Sequence, residues 1–482
     1  MLHLLAWVWL LLRVACGSPP LLSDAEVAQQ RFNATFRGLE WYYWNASGGT
    51  WSCCGQNGGG GGVGRFGCAC DRADGRDCLN CYRWWGAQVL QALVQQGSAQ
   101  SAPDYLYALV SGLAETMLTQ SPYNAAFGRG TSWAYVDDYL WYVLAFLSTY
   151  EWLKDERYLD MARETYGFLR EYGWDAQCGG TYWIVNPRPV AAPARPEKNA
   201  VTNLEMLQAA AKLYLLTGEP RYAAEAKQMW DWFEAVPLRD PDGLLGDGLT
   251  GHAGSQSDCC NGTAALPSKP RCVRNGGPSY TYNQGLFVGS AGLMFRITGD
   301  RSYVREAQRT LRAVLRRMTA AGVLREPLGR TRPAREVVCD RSNDPAGGDL
   351  YSFKGVFVLQ LAGFLRDVPV DEDLRGQLRD LVSRSSDAAW GLRTEPPWPR
   401  SPPDVCADPA LAELTSGPPK FPWYWAYVGP SSSSSQRVCM DARTQISALS
   451  LFVAHALVAS EAAASDGTAL DAAPADRRDV FL

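Results

Sequence analysis

Residues 214–233, YLLTGEPRYAAEAKQMWDWF, and residues 295–314, FRITGDRSYVREAQRTLRAV, are two versions of one phrase. Each ends an apolar periodic stretch at Thr–Gly, turns, and restarts with a tyrosine and, four residues on, an alanine. The pairs are Tyr222 with Ala226 and Tyr303 with Ala307. Glycine just past a helix end closes the last turn in the left-handed region without a Cβ penalty. The acidic residue that follows, Glu219 or Asp300, suits the partial positive charge at the next helix start. A looser copy at 148–169, STYEWLKDERYLDMARETYGFL, places Tyr158 and Ala162 the same way. The phrase predicts a helical hairpin, repeated along the chain.

Working outward, apolar residues recur at helical spacing in about twelve segments. These are 24–44, 83–97, 103–119, 135–153, 155–172, 198–217, 219–235, 282–298, 300–320, 352–366, 371–388 and 440–461. Strand patterning is sparse. The copies recur at irregular intervals, a poor match to the ~34-residue period of an open solenoid. Six hairpins closed into a toroid account better for about twelve helices, so the sequence predicts an all-α fold, the (α/α)6 barrel. In such a ring the inner helix ends and their long loops share one deep cleft. Closure predicts that 135–153 packs near both 282–298 and 440–461. The expected organisation is a signal peptide at 1–17 and one domain over 18–462. That domain carries a cysteine-rich insert at 53–81 and a Pro/Ser-rich excursion at 393–435, and a polar tail follows at 463–482.

Composition excludes several classes of function. The net charge of −4, from 46 basic and 50 acidic residues with no basic run, recruits neither nucleic acid nor an anionic membrane. Only three histidines occur, His3, His252 and His455. Ser–His–Asp and Cys–His catalysis and multi-histidine metal sites are therefore poor readings, and acid–base chemistry falls to carboxylates. No metal or organic cofactor is indicated. The aromatic content stands out, with 18 Trp and 22 Tyr, many in polar company. The apolar run Leu4–Leu12 is too short to span a bilayer and reads as a cleaved secretory signal. Fourteen cysteines, and sequons at Asn33, Asn45 and Asn261, agree with an oxidising, extracellular setting. No apolar tail suggests a C-terminal membrane anchor. The segment GVGRFG at 62–67 satisfies G-x-G-x-x-G, but it lies in a glycine run between cysteines without a preceding strand, so it is not read as a dinucleotide site.

The chemistry concentrates at 133–152, WAYVDDYLWYVLAFLSTYEW, where Asp137 and Asp138 stand at the start of an apolar helix among Trp133, Tyr135, Tyr139, Trp141 and Tyr142. Paired carboxyl groups beside flat rings are what cleavage of a glycosidic bond needs: an acid, a base or nucleophile, and faces on which sugars stack. The plain alternative is a helix cap set in a core of rings. Four further segments put polar groups at helix starts: KNAVTNLEML (198–207), SYTYNQGLFVGSAGLMF (279–295), GDLYSFKGVFVLQL (348–361) and DARTQISALSLF (441–452). Together they suggest a ring of hydroxyl-binding groups, with Trp133, Tyr135, Asn203, Tyr282, Asn283, Gln284, Asp349 and Lys354 as the candidate substrate-binding residues. Lys354 is expected beside a catalytic carboxylate, with Asn203 and Lys354 the first candidates for a purely structural role.

YVDDYLWYVLAFL, KNAVTNLEML, the TGE and TGD turns, YTYNQGLFVGSAGLMFRITGD, FKGVFV and TQISAL, in that order over roughly 82–460, resemble the family-76 glycoside hydrolases, the endo-α-1,6-mannanases. They are also similar to related fungal wall proteins proposed to act as transglycosidases. The resemblance implies an (α/α)6 barrel and a retaining mechanism, with Asp137 as nucleophile and Asp138 as acid/base. It implies α-mannan or a related oligosaccharide as the partner. The insert at 53–81 and the excursion at 393–435 go beyond the family pattern.

Three other readings are carried forward. A cell-wall transglycosidase uses the same residues and differs only in its acceptor. A catalytically silent glycan-binding barrel has no need of two adjacent carboxylates. A helical protein-interaction scaffold predicts a surface without concentrated aromatics.

Overall fold

The structure is a computed structural model that describes residues 22–45, 50–51, 84–99, 104–120, 134–176, 179–185, 197–250, 273–326, 350–393, 421 and 442–465. The helices are α1 (Asp24–Tyr43), α2 (Trp85–Ala99), α3 (Asp104–Gln120), α4 (Val136–Leu153), α5 (Glu156–Gly173) and α6 (Ala200–Thr217). They continue with α7 (Pro220–Ala235), α8 (Thr281–Thr298), α9 (Arg301–Arg317), α10 (Leu350–Asp367), α11 (Glu372–Gly391) and α12 (Ala442–Ser465).

The even-numbered helices form an inner ring. α2 packs on α4, α4 on α6, α6 on α8, α8 on α10, α10 on α12, and α12 back on α2. Outside, α1 packs on α12, α3 on α2 and α4, α5 on α4 and α6, α7 on α6 and α8, and α11 on α12 and α9. This is the (α/α)6 barrel that the hairpin phrase predicts. The ring closes with one difference: the direct neighbours of α4 are α2 and α6, while α8 and α12 come next round on either side.

Burial separates the two layers. On α6 every residue from Ala200 to Ala211 is buried, as a helix enclosed by neighbours on all sides requires. On α9 burial is confined to Tyr303, Val304, Ala307, Thr310, Leu311, Ala313 and Val314, a single helical stripe against the ring. Inner helices approach closely where side chains are small. A Cβ on Gly285 would lie 2.6 Å from Cα of Phe357, and one on Gly355 would lie 2.9 Å from Cα of Ser447.

The two ends of the barrel are built differently. At one end, tight turns join α4, α6, α8 and α10 to the outer helices that follow them. Gly218 and Gly299 both adopt φ 71° just past α6 and α8, donating to Tyr214 and Phe295 carbonyls. Lys154 occupies the same left-handed position after α4, at φ 57°. Asp155 and Asp300 then accept backbone N–H bonds that start α5 and α9, while α7 starts on Pro220. At the other end, long connections return to the next inner helix. Short antiparallel strands there set the helix starts: 134–135 with 184–185, and 198–199 with 248–249, while 249–250 pairs with 273–274.

His455 lies buried on α12 with Nε2 3.1 Å from Asp24 of α1, a tie between the two layers. From the Pro/Ser-rich excursion, Phe421 is buried between Trp390 and Phe452, so at that point the excursion packs on the barrel. The predicted signal peptide, the cysteine-rich insert with its GVGRFG run, and Trp133 and Asp349 lie outside the described residues.

Candidate active site

α4 begins at Val136, whose N–H donates to the Trp183 carbonyl at 2.8 Å, so the 183 loop fixes where the helix starts. Asp137 and Asp138 then fall in the first turn of α4, where unpaired N–H groups and the helix dipole favour negative charge. Asp137 Oδ1 accepts the Asp138 N–H at 3.1 Å. The indole N–H of Trp183 donates to both carboxylate oxygens of Asp137, at 3.0 and 2.9 Å. The Trp183 ring packs against Tyr135, 5.1 Å between centroids, and Tyr135 is 48% exposed at the mouth of the site.

The loop that presents Trp183 is tied down at several points. The Trp183 N–H donates to the Glu197 carbonyl at 2.8 Å. Asn203, on α6, accepts the Thr181 N–H and donates to the Thr181 and Asn199 carbonyls. Lys198 is 1% exposed and donates to Asp175 at 2.7 Å and to the Gly179 carbonyl at 2.6 Å. Tyr182 donates its hydroxyl to Asp175 at 2.8 Å.

Behind the pair lies a third acid. Glu205 on α6 is fully buried, and neither of its oxygens has a hydrogen-bond partner among the described residues. Burial pushes its carboxyl group well above the usual range, and the charges of Asp137 and Asp138 push it further. Asp137 keeps some solvent exposure, yet enough protein surrounds its carboxyl that desolvation raises its pKa well above normal. The Asp138 charge adds to this and the Trp183 N–H opposes it. Just before the 248–250 strand, burial and then the charge of Glu197 push Asp247 up to about 6. Asp247 accepts weakly from the Asn283 amide at 3.4 Å and from the Tyr282 hydroxyl at 3.5 Å. The Tyr282 hydroxyl in turn feels the charges of Asp247, Asp137 and Glu205, and its ring stacks on Phe353 at 3.9 Å.

Among the candidate substrate-binding residues, Tyr135 packs on the Trp183 ring that donates to Asp137, Tyr282 lies within electrostatic reach of Asp137, and Asn283 reaches Asp247. Asn283 Oδ1 is buried without a partner among the described residues, a polar atom left over. Gln284, and the two residues named above as first candidates for a structural role, Asn203 and Lys354, are engaged within the protein. Asn203 spends its amide on loop backbone. Gln284 is fully buried, accepting from the Leu245 N–H and donating to the Leu245 and Tyr280 carbonyls. The carboxylate that acts on buried Lys354 is Glu326, which itself accepts from Thr281 N–H and Oγ at the start of α8. Burial lowers the Lys354 pKa and raises that of Glu326, and this pair serves the helix start that carries Tyr282 and Asn283.

Trp183, Glu205 and Asp247 were not among the sequence candidates. Glu205 stood inside the quoted KNAVTNLEML, an acid on a helix face whose neighbours Val201, Leu204 and Gln208 are all buried. That mismatch was the available signal. Trp183 and Asp247 sit in loops, and only the folded chain brings Trp183 to α4 and Asp247 to α8.

Residues 40–396 match the family model for glycosyl hydrolase family 76. The fold is similar to the GH76A α-1,6-mannanase of Salegentibacter sp. HEL1_6, with TM-score 0.60 and 20% identity over 90% of this chain and 99% of that one. An inactive variant of that enzyme, two aspartates replaced by asparagine, aligns comparably (TM-score 0.59, 20% identity, the same coverage) in complex with α-1,6-mannotriose. Dfg5 from Chaetomium thermophilum, in complex with glucosamine, aligns over 79% of this chain and 80% of that one, at TM-score 0.54 and 20% identity. Among curated proteins, a cellobiose 2-epimerase from Eubacterium cellulosolvens is 34% identical over 104 residues, 21% of this chain. The chain spans a quarter (25%) of that relative's length. A match across most of the chain, on a closed ring of six helical hairpins, assigns this protein to glycosyl hydrolase family 76.

Proposed function

We propose that this glycoside hydrolase is a secreted enzyme cleaving α-1,6-mannosidic linkages in mannan-type polysaccharide with retention of configuration. The observation that carries the reading is the Asp137–Asp138 pair at one inner helix start, with Asp137 held by two N–H contacts from Trp183. Retention needs two carboxyl groups about 5–5.5 Å apart, one to attack and one to protonate. Neighbouring residues of a first helical turn can reach that separation when their side chains diverge. Support for the substrate comes from the Salegentibacter α-1,6-mannanase, a variant of which, with two aspartates replaced, is inactive and is seen with α-1,6-mannotriose. Support for secretion comes from the N-terminal apolar run and the cysteine content.

The proposed steps follow from charge. Burial and the Asp138 charge raise the proton affinity of Asp137, and a proton held by such a pair belongs to both. With sugar bound, the proton serves the leaving oxygen from Asp138, and Asp137, pinned by Trp183, forms a bond to the anomeric carbon as the glycosidic bond breaks. Asp138 then takes a proton from water, whose oxygen displaces Asp137 and frees the sugar. Tyr135 offers a ring face at the mouth, and Asn283, with its spare carbonyl, offers an acceptor to a hydroxyl. If a sugar hydroxyl replaces water in the second step, the same site is a transglycosidase. The likeness to Dfg5, seen with glucosamine, keeps that reading in view.

Incubation with linear α-1,6-mannan, with and without added oligosaccharide, tests the proposal by product sizing. Shorter products in both conditions are expected. Elongated products only with the acceptor would favour the transglycosidase, and no change in either would overturn both.

A further inference from the structure

We propose that Trp183 is a positioning residue for Asp137: its indole N–H holds the carboxylate in the orientation that attack on a sugar carbon requires. The inference rests on the reading of Asp137 as nucleophile and adds a residue that neither the sequence pattern nor the family match assigns. Three observations carry it. First, the one polar atom of the Trp183 side chain lies 3.0 and 2.9 Å from the two oxygens of Asp137, a two-point contact that sets the carboxylate's plane. Second, the Trp183 backbone is fixed on both sides, its N–H to Glu197 and its carbonyl from Val136 at the start of α4. The donor and the acceptor therefore move as one unit. Third, the loop itself is secured by the buried Lys198–Asp175 pair and by Asn203 on Thr181, so the indole is aimed by the α5–α6 connection and not by chance packing.

The electrostatic setting gives this contact a task. The titratable groups around Asp137 are Asp138 on its own helix, Glu205 from α6, and Tyr282 from α8. Asp247 acts in turn on Tyr282, and Glu197 on Asp247. All of them are acids, and each one that ionises makes a second negative charge at Asp137 harder to hold. The nearest described cation of the loop, Lys198, is committed to Asp175. Trp183 supplies a neutral donor instead, which favours the ionised carboxylate without pairing it so strongly that it loses nucleophilicity.

Trp183→Phe keeps a ring against Tyr135 and removes the donor. A hydrogen bond to a charged group is worth roughly 10- to 100-fold in an equilibrium, so kcat on α-1,6-mannan is expected to fall by about that factor, with KM little changed. Loss of the donor raises the affinity of Asp137 for a proton, so the acid limb of the kcat profile should move up by about one pH unit. A residue needed only for packing would lower thermal stability and leave that limb in place. The same shift is read without substrate, by carbon-13 NMR titration of aspartate-labelled wild-type and variant protein. If Trp183→Phe fails to fold, 3-benzothienylalanine at 183, which keeps the ring shape and has no N–H, takes its place. An unmoved carboxyl titration in the folded variant would overturn the role of Trp183. A wild type inert toward mannan, with the titration shifted as expected, would overturn the proposed function and leave the contact established.

Discussion

The two ends of the barrel use the same helices and opposite construction rules. At the turn end, polar groups are satisfied within a few residues: Thr217 Oγ1 donates to the Leu213 carbonyl and accepts the Glu219 N–H, and Thr298 does the same with Met294 and Asp300. At the loop end, partners come from far along the chain, as with Trp183 on Asp137, Asn203 on Thr181 and Gln284 on Leu245. That end also holds, among the described residues, the acids whose proton affinity burial raises most: Glu205, which has no hydrogen-bond partner there, with Asp137 and Asp247. Unpaired buried acids are costly. Acids of this kind at one end mark it as the end proposed to do chemistry, while the other end holds the hairpins together.

The sharpest way to break this comparison is at the pair itself. Asp137→Asn and Asp138→Asn should each lower kcat by roughly 1,000-fold or more, as loss of a catalytic group does, while circular dichroism and Tm stay near wild type. With an aryl mannoside, whose leaving group needs no protonation, the Asp138 variant should recover much of its first-step rate and the Asp137 variant should not. The reverse pattern would exchange the two roles.

Next in size is the clamp behind Trp183. Lys198→Met leaves the partly buried Asp175 without its cation but with the Tyr182 hydroxyl, a loss of about 1.5–3 kcal/mol, read as a lower midpoint in urea. Because Trp183 rides on that loop, kcat should fall as well. Unchanged activity in a destabilised variant would detach the clamp from the site.

A pH measurement sharpens the electrostatic contrast. Asp247 has a folded pKa near 6, above its unfolded value, so the folded state binds its proton more tightly. Its contribution favours folding at low pH and is lost as pH rises from about 4 through 6. Asp247→Asn should therefore gain stability relative to wild type on going from pH 4 to pH 7. A difference that is flat over this window, in urea melts at each pH, would contradict the assignment.

The smallest effect belongs to the turn end. Lys154 holds the left-handed position that Gly218 and Gly299 fill in the sister hairpins. Lys154→Gly should raise stability by about 1 kcal/mol and leave kcat and KM unchanged. A change in catalysis from this substitution would show that the two ends are coupled.

The contrast also explains what could be read from the chain. The hairpins were legible because their determinants are local: Thr–Gly, an acid or proline, then Tyr and Ala, all within one turn and its flanks. The aspartate pair was legible because both residues are adjacent in sequence and stand among rings. Asn203 and Gln284 looked like sugar ligands, since a polar group at a helix start reads the same whether it meets a sugar or a backbone carbonyl. Their partners, Thr181 and Leu245, lie in loops whose paths no periodicity encodes. Lys354 paired with a carboxylate, but the partner is Glu326, brought in by the connection after α9. Trp183 is hidden for the same reason, and Glu205 carries only the signal of an acid within an apolar run.

The central claim is that Asp137 and Asp138 together cleave an α-mannosidic bond by double displacement. Proton NMR of the anomeric signals during the first minutes of α-1,6-mannan hydrolysis tests it most directly, before mutarotation mixes the products. The account predicts that the first-formed reducing end is α. A first-formed β reducing end would mean single displacement by water, a more distant second carboxylate, and a different role for the pair.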